Sequence, residues 1–104
     1  FIRRLATNVT TQSTSHSDFK LYQNFPNPFN PSTEMSFSVD KAGRATLILF
    51  NVLGEQVATL YDGIARPDEV IRVHWNARTL PSGVYFYTLT SGTGLLTRKL
   101  LLIR

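Results

Sequence analysis

Glu34-Met35-Ser36-Phe37-Ser38-Val39 decides the fold class of this chain. Met35, Phe37 and Val39 alternate with Glu34, Ser36 and Ser38. A period of two places the apolar set on one face and the polar set on the other, which is the pattern of a half-buried β-strand. The same period recurs on working outward. Lys41-Ala42-Gly43 reads as a turn, after which Ala45, Leu47 and Leu49 share one face of a second strand. Ile48 and Phe50 make its other face apolar too, so that face is expected to be covered. Leu53-Gly54-Glu55 marks the next turn. Val57 to Tyr61 reads as a short strand closed by Asp62-Gly63, a strong turn dipeptide. Ile71, Val73 and Trp75 then alternate with Arg72 and His74, which places His74 toward solvent. Pro81-Ser82-Gly83 turns the chain again, and Tyr85, Tyr87 and Leu89 alternate with Val84, Phe86 and Thr88. Ser91-Gly92-Thr93-Gly94 leads to a last strand from Leu95 to Ile103. About seven short strands with turn signals roughly every 8–12 residues predict a single antiparallel β-sandwich with Greek-key-like connections. Trp75, Leu47, Tyr85 and Leu89 are expected in its core, because inward-facing large apolar residues anchor cores.

The 104 residues are one domain's worth of chain. There is no cysteine, and so no reading of redox compartment. No apolar run is long enough to span a membrane as a helix. The first residue is Phe1 rather than Met, and the chain reads as a fragment of a longer protein. Its net charge is +4, but the 11 basic residues are scattered, with Arg3-Arg4 and Arg98-Lys99 the densest groups. That distribution describes a solvated surface and argues against nucleic acid as a partner, which would select a basic stripe interleaved with aromatics. Residues 7–18 contain seven Ser or Thr and one sizeable apolar residue, Val9. Such a segment buries too little apolar surface to offset its ordering entropy, so residues 1–20 are expected to form a flexible linker and residues 21–104 the folded domain. Asn8-Val9-Thr10 matches a glycosylation sequon, a pattern common by chance.

The residues give little support for catalysis. His16 lies in the linker and His74 on a solvent face. No serine sits in a Gly-x-Ser-x-Gly elbow, and no glycine-rich phosphate loop occurs. Asp62, Asp68 and Glu69 are loop-type carboxylates of a kind that binds calcium, but they lack the twelve-residue spacing of an EF-hand. The expectation is a domain that is not an enzyme and carries no cofactor and no metal.

The two ends of the folded region are more distinctive. Asn24-Phe25-Pro26-Asn27-Pro28-Phe29-Asn30-Pro31 holds three prolines, which fix φ and donate no hydrogen bond. The residues before them are biased toward extended backbone. At the other end, Ser82-Gly83-Val84-Tyr85-Phe86-Tyr87 precedes Arg98-Lys99-Leu100-Leu101-Leu102-Ile103-Arg104, an apolar strand with basic residues at both ends. Two readings stand together: its outer edge is open to a receptor strand, and Leu100-Leu101-Leu102-Ile103 is a strand buried on both faces. Lys99 and Arg104 are expected to be exposed charges, each replaceable at about 0.5 kcal/mol.

With Leu21-Tyr22-Gln23, Ser32-Thr33, Phe50-Asn51-Val52-Leu53-Gly54-Glu55-Gln56-Val57 and Val73-His74-Trp75-Asn76-Ala77, these segments resemble, in order and spacing, the type IX secretion C-terminal sorting domain (type A) of Bacteroidetes-type secreted proteins. The family usually carries Asp at the positions of Asn51 and Asn76. The resemblance implies an immunoglobulin-like sandwich that serves as an address label for an N-terminal cargo domain. It implies passage through the periplasm, recognition by an outer-membrane translocon, cleavage by a sortase-like protease, and a secreted or cell-surface destination. The motif positions that become recognition candidates are Pro26, Asn27, Pro28, Phe29, Gly83, Tyr85, Arg98, Lys99, Leu100, Leu101, Leu102, Ile103 and Arg104. The competing expectation is an immunoglobulin-like accessory module of a secreted enzyme, binding polysaccharide or acting as a spacer.

Overall fold

A computed structural model describes residues 18–92 and 94–104; the expected linker over residues 7–18 lies outside them except for Asp18. Seven strands and no helix occur among the described residues: β1 Lys20–Leu21, β2 Ser32–Ser38, β3 Gly43–Phe50, β4 Gln56–Ala65, β5 Ile71–Asn76, β6 Gly83–Ser91 and β7 Gly94–Leu102. They form two antiparallel sheets, one ordered β1-β2-β5 and the other β4-β3-β6-β7. The chain crosses from the first sheet to the second after β2, returns for β5, and crosses again for β6. The molecule is therefore the expected all-β sandwich.

Alternation determines what each strand buries. Met35, Phe37 and Val39 face Ala45, Leu47 and Leu49 across the sandwich, together with Tyr85, Tyr87 and Leu89 of β6 and Leu100 and Leu102 of β7. All of these are buried. Each large apolar side chain taken from water contributes on the order of 1.5–3 kcal/mol. The expectation holds for Leu47, Tyr85 and Leu89. Ile48 and Phe50, on the opposite face of β3, are only half-buried, so that face is not covered as expected.

Two expectations are corrected. Asp62-Gly63 does not end a strand, because β4 runs through it to Ala65, with Asp62 opposite Thr46 and Gly63 opposite Ala45. Arg44 donates two hydrogen bonds to the Asp62 carboxylate, at 2.9 and 2.8 Å, across that strand pairing. Gly63 has another use. A Cβ there would lie 3.2 Å from the Tyr61 hydroxyl oxygen, so glycine admits the Tyr61 side chain, whose hydroxyl donates to the Ile64 carbonyl at 2.8 Å. The turn comes later, where the Glu69 amide donates to the Arg66 carbonyl.

Trp75 is the second correction. It is half-buried and packs against the core from its rim, because β5 is an edge strand. The aromatic that enters the core beside it is Phe29, only 2% exposed, with ring centroids 5.9 Å from Trp75.

Candidate functional site

Phe29 belongs to no regular strand, so something must satisfy its backbone. Its amide donates to the Leu101 carbonyl and its carbonyl accepts from the Ile103 amide, both at 3.0 Å, giving a parallel bridge to Leu102. In β7 and the residue after it, 100 and 102 direct their backbone groups toward β6, while 99, 101 and 103 direct theirs off the sheet. The proline-rich segment occupies that side. The Gln23 Nε2 donates to the Lys99 carbonyl at 2.8 Å, and the Leu101 amide donates to the Asn27 Oδ1 at 3.0 Å. The outer edge of β7 is therefore already paired from Lys99 onward. This overturns the expectation that it stands open there to a receptor strand.

A polar network stiffens the proline-rich segment, since prolines bring no donors of their own. The buried Asn24 side-chain amide donates to the Pro26 carbonyl and to Thr33 Oγ1, both at 3.0 Å, and Thr33 Oγ1 donates to the Pro26 carbonyl at 2.9 Å. At its root, the Tyr87 hydroxyl accepts from the Asn24 amide and donates to the Tyr22 carbonyl, both at 2.8 Å. Burial pushes the Tyr87 hydroxyl up to about 12, against the opposing pull of the Asn24 amide and the Arg98 charge. The X-Pro bonds before Pro26, Pro28 and Pro31 are all cis.

Arg98, in the middle of β7, and Arg104, beyond its end, also bind backbone. Arg98 Nε donates to the Leu21 carbonyl at 2.8 Å. Arg104 folds back over the turn before β6. Its Nη1 donates to the carbonyls of Ala77 and Leu80 at 2.8 and 2.9 Å, its Nη2 donates to the Arg78 carbonyl, and its amide donates to Ser82 Oγ at 3.0 Å. Arg104 is exposed as expected, but it is a clamp on the turn rather than a free charge.

The structure brings most of the sequence candidates together. Phe29, Leu100 and Leu102 are buried, whereas Pro26, Asn27, Pro28, Lys99, Leu101, Ile103 and Arg104 are exposed around them. Gly83 opens β6 opposite Leu102. Tyr85 is buried opposite Leu100 and donates its hydroxyl to the Pro81 carbonyl at 2.7 Å. Gln23, Asn24, Thr33 and Tyr87 hold this seam but were not among the sequence candidates. One signal was available for Tyr87: an inward-facing tyrosine requires a hydrogen-bond partner for its hydroxyl.

The family described as secretion system C-terminal sorting domain matches residues 23–103, a span that begins just before the proline-rich segment and ends on the residue whose amide donates to the Phe29 carbonyl. The chain belongs to that family. The sorting domain is a non-catalytic module of type IX secretion. It engages the secretion machinery and directs an attached protein across the outer membrane, to the cell surface or to release. No curated protein and no solved structure matches the chain. Among the described residues, no group of three or more His, Asp or Glu side chains is arranged to hold a metal ion, and no helix is long and apolar enough to cross a membrane.

Proposed function

We propose that the type IX machinery reads this domain in its folded state, through the seam where residues 22–31 meet residues 98–104. The observation that carries the reading is the reciprocal hydrogen bonding between Phe29 and residues 101 and 103. It joins two distinctive segments, some seventy residues apart in sequence, into one surface that exists only after folding. On this reading Pro26, Asn27, Pro28, Lys99, Leu101, Ile103 and Arg104 present the surface. Phe29, Gly83, Tyr85, Arg98, Leu100 and Leu102 hold its shape. The finer partners are an outer-membrane translocon, which receives the folded domain, and a sortase-like protease, which then separates cargo from domain. The residues before β1 act as the linker in which that cut falls, since a Ser/Thr-rich sequence poor in apolar residues suits a protease substrate.

The test fuses residues 1–104 to an exported reporter in a host with type IX secretion. The fusion is expected at the cell surface or in the medium. A folded fusion retained in the periplasm would overturn the sorting reading. Asn27→Asp then tests the seam, because a carboxylate retains the acceptor for the Leu101 amide but adds charge to the surface. Unchanged delivery of that folded variant would count against direct reading of the seam at Asn27.

A further inference from the structure

An edge strand is normally blunted by a bulge, a proline or a charge, because its unpaired backbone is a template for another strand. β7 is such an edge, and the proline-rich segment covers only part of it. The cover reaches back along β7 to Lys99, through Gln23. Upstream of Gln23 the chain leaves β7 for the other sheet. The Tyr22 amide donates to the Ser36 carbonyl at 3.0 Å, and Leu21 and Lys20 pair with Phe37 and Ser38 of β2. The alternation that turns 99, 101 and 103 off the sheet also turns the backbone groups of Leu95 and Thr97 off it. Among the described residues nothing bonds them on that side. No bulge blunts this half of the edge, because β7 pairs with β6 without a register shift from Gly94 opposite Ser91 to Leu102 opposite Gly83. Neither Leu95 nor Thr97 is charged, and Leu95 is 62% exposed.

Where β1 parts from β7 there is a groove of about 400 Å³, with Phe19, Leu21 and Tyr22 on one side and Leu96, Thr97 and Arg98 on the other. Its charged lining is Lys20 and Arg98. Arg98 donates Nε to the Leu21 carbonyl and forms no ion pair among the described residues. Lys20 lies 3.7 Å from the Asp18 carboxylate, so the groove keeps a net positive charge. Two features identify its occupant. Amide and carbonyl groups repeated every about 6.8 Å along an edge match the backbone of another extended chain. The positive groove beside them is complementary to an acidic side chain on that chain. A lipid phosphate would meet the cations but offers no alternating donors and acceptors to the edge.

We infer that the uncovered half of the β7 edge, residues 95–97, accepts an extended acidic strand of a type IX machinery protein. The strand adds to the four-stranded sheet and places a carboxylate beside Lys20 and Arg98. This inference rests on the sorting function proposed above and gives it a backbone contact that the seam, already paired, does not offer.

The test begins with amide hydrogen exchange on the folded chain of residues 1–104. The probe is detergent-solubilised outer-membrane protein from a host with type IX secretion, and the blank is the same fraction from a host lacking the translocon. Exchange at Leu95 and Thr97 is expected to slow at least tenfold with the probe alone, while Leu96 and Arg98, already bonded to β6, stay unchanged. Unchanged exchange at Leu95 and Thr97, or equal slowing by the blank, overturns the added strand. Slowing by vesicles of outer-membrane lipid, or by raising the concentration of the domain alone, overturns a machinery protein as the occupant. The second arm uses the reporter fusion. Thr97→Pro deletes one outward amide and spares the ladder to β6. It is expected to melt near the wild type yet lower delivery at least tenfold. Thr88→Val breaks the same 3.0 Å hydroxyl contact between Thr88 and Thr97 without touching the edge, and is expected to deliver as the wild type does. Lys20→Glu reverses a groove charge and is expected to lower delivery by a smaller factor; wild-type delivery by it overturns the acidic character of the strand. Wild-type delivery by folded Thr97→Pro overturns the strand and leaves the sorting function standing. Failure of the wild-type fusion overturns both. If Thr97→Pro unfolds, the exchange arm decides alone, since it needs no variant.

Discussion

The centre of the β3–β6 sheet and Phe29 in the proline-rich seam are buried alike but are held in different ways. Leu47, Leu49 and Leu89 are buried by strand alternation and need no partner beyond their neighbours in the ladder. Phe29 is just as deeply placed, on a segment paired only through isolated bridges, Phe25 to Glu34 and Phe29 to Leu102. Its burial depends on Asn24, Thr33, Asn27 and Tyr87 satisfying a backbone that prolines leave short of donors. An apolar core forms wherever the pattern supplies one, whereas a polar seam requires particular side chains at particular positions.

Phe29→Ala is the strongest challenge to that comparison. If the seam is part of the core, the truncation costs about 3–5 kcal/mol, against about 2–5 kcal/mol for Leu47→Ala, measured by urea unfolding. A Phe29→Ala cost under about 1 kcal/mol would show instead that the seam is a surface latch over an independent core.

Tyr87→Phe separates the two modes of support more finely. The ring stays, so packing is retained, but the Asn24 amide and the Tyr22 carbonyl lose their partner; a loss of about 1–3 kcal/mol is expected. The pH dependence gives a second measure. The folded-state value of the Tyr87 hydroxyl is raised from 10.0 to about 12. Its contribution is therefore complete below pH 10 and is lost as pH rises from 10 through 12, where the unfolded chain ionises first. The slope approaches about 1.4 kcal/mol per pH unit at most. Denaturation followed between pH 9 and 12 should show this slope in the wild type and a shallower one in Tyr87→Phe. Equal slopes would place the buried-hydroxyl contribution elsewhere.

Arg104→Ala and Lys99→Ala bring the comparison to the surface. Arg104 loses its guanidinium bonds to three turn carbonyls and is expected to cost about 1 kcal/mol, within the usual range for one or two net hydrogen bonds. Lys99 contributes its carbonyl to the seam and keeps its ammonium in solvent, so its replacement should stay within about 0.5 kcal/mol. Thermal melts of the single variants decide this. Equal small effects would show that the Arg104 clamp adds nothing measurable.

Alternation alone determined the fold class and most of the core. A strand's inward and outward faces follow from a period of two that is read over five or six residues, so Met35, Phe37, Leu47 and Leu89 could be placed without knowing what lay opposite. The segments that carry the sorting function were also legible, as motifs, in Asn24–Pro31 and Arg98–Arg104. Their meeting was not. The bonds that join them link residues more than seventy positions apart, from Gln23 to Lys99 and from Asn27 to Leu101, and no local period records such a pairing. The same reason explains two of the departures. Asp62-Gly63 has the chemistry of a turn, but pairing with Thr46 and Ala45 on the neighbouring strand keeps it extended. Trp75 has the alternation of a core residue, but its strand lies at a sheet edge, and Phe29 from a distant segment takes the interior beside it. Local pattern sets which way a side chain points. Only the packing of distant segments decides whether anything lies there to receive it.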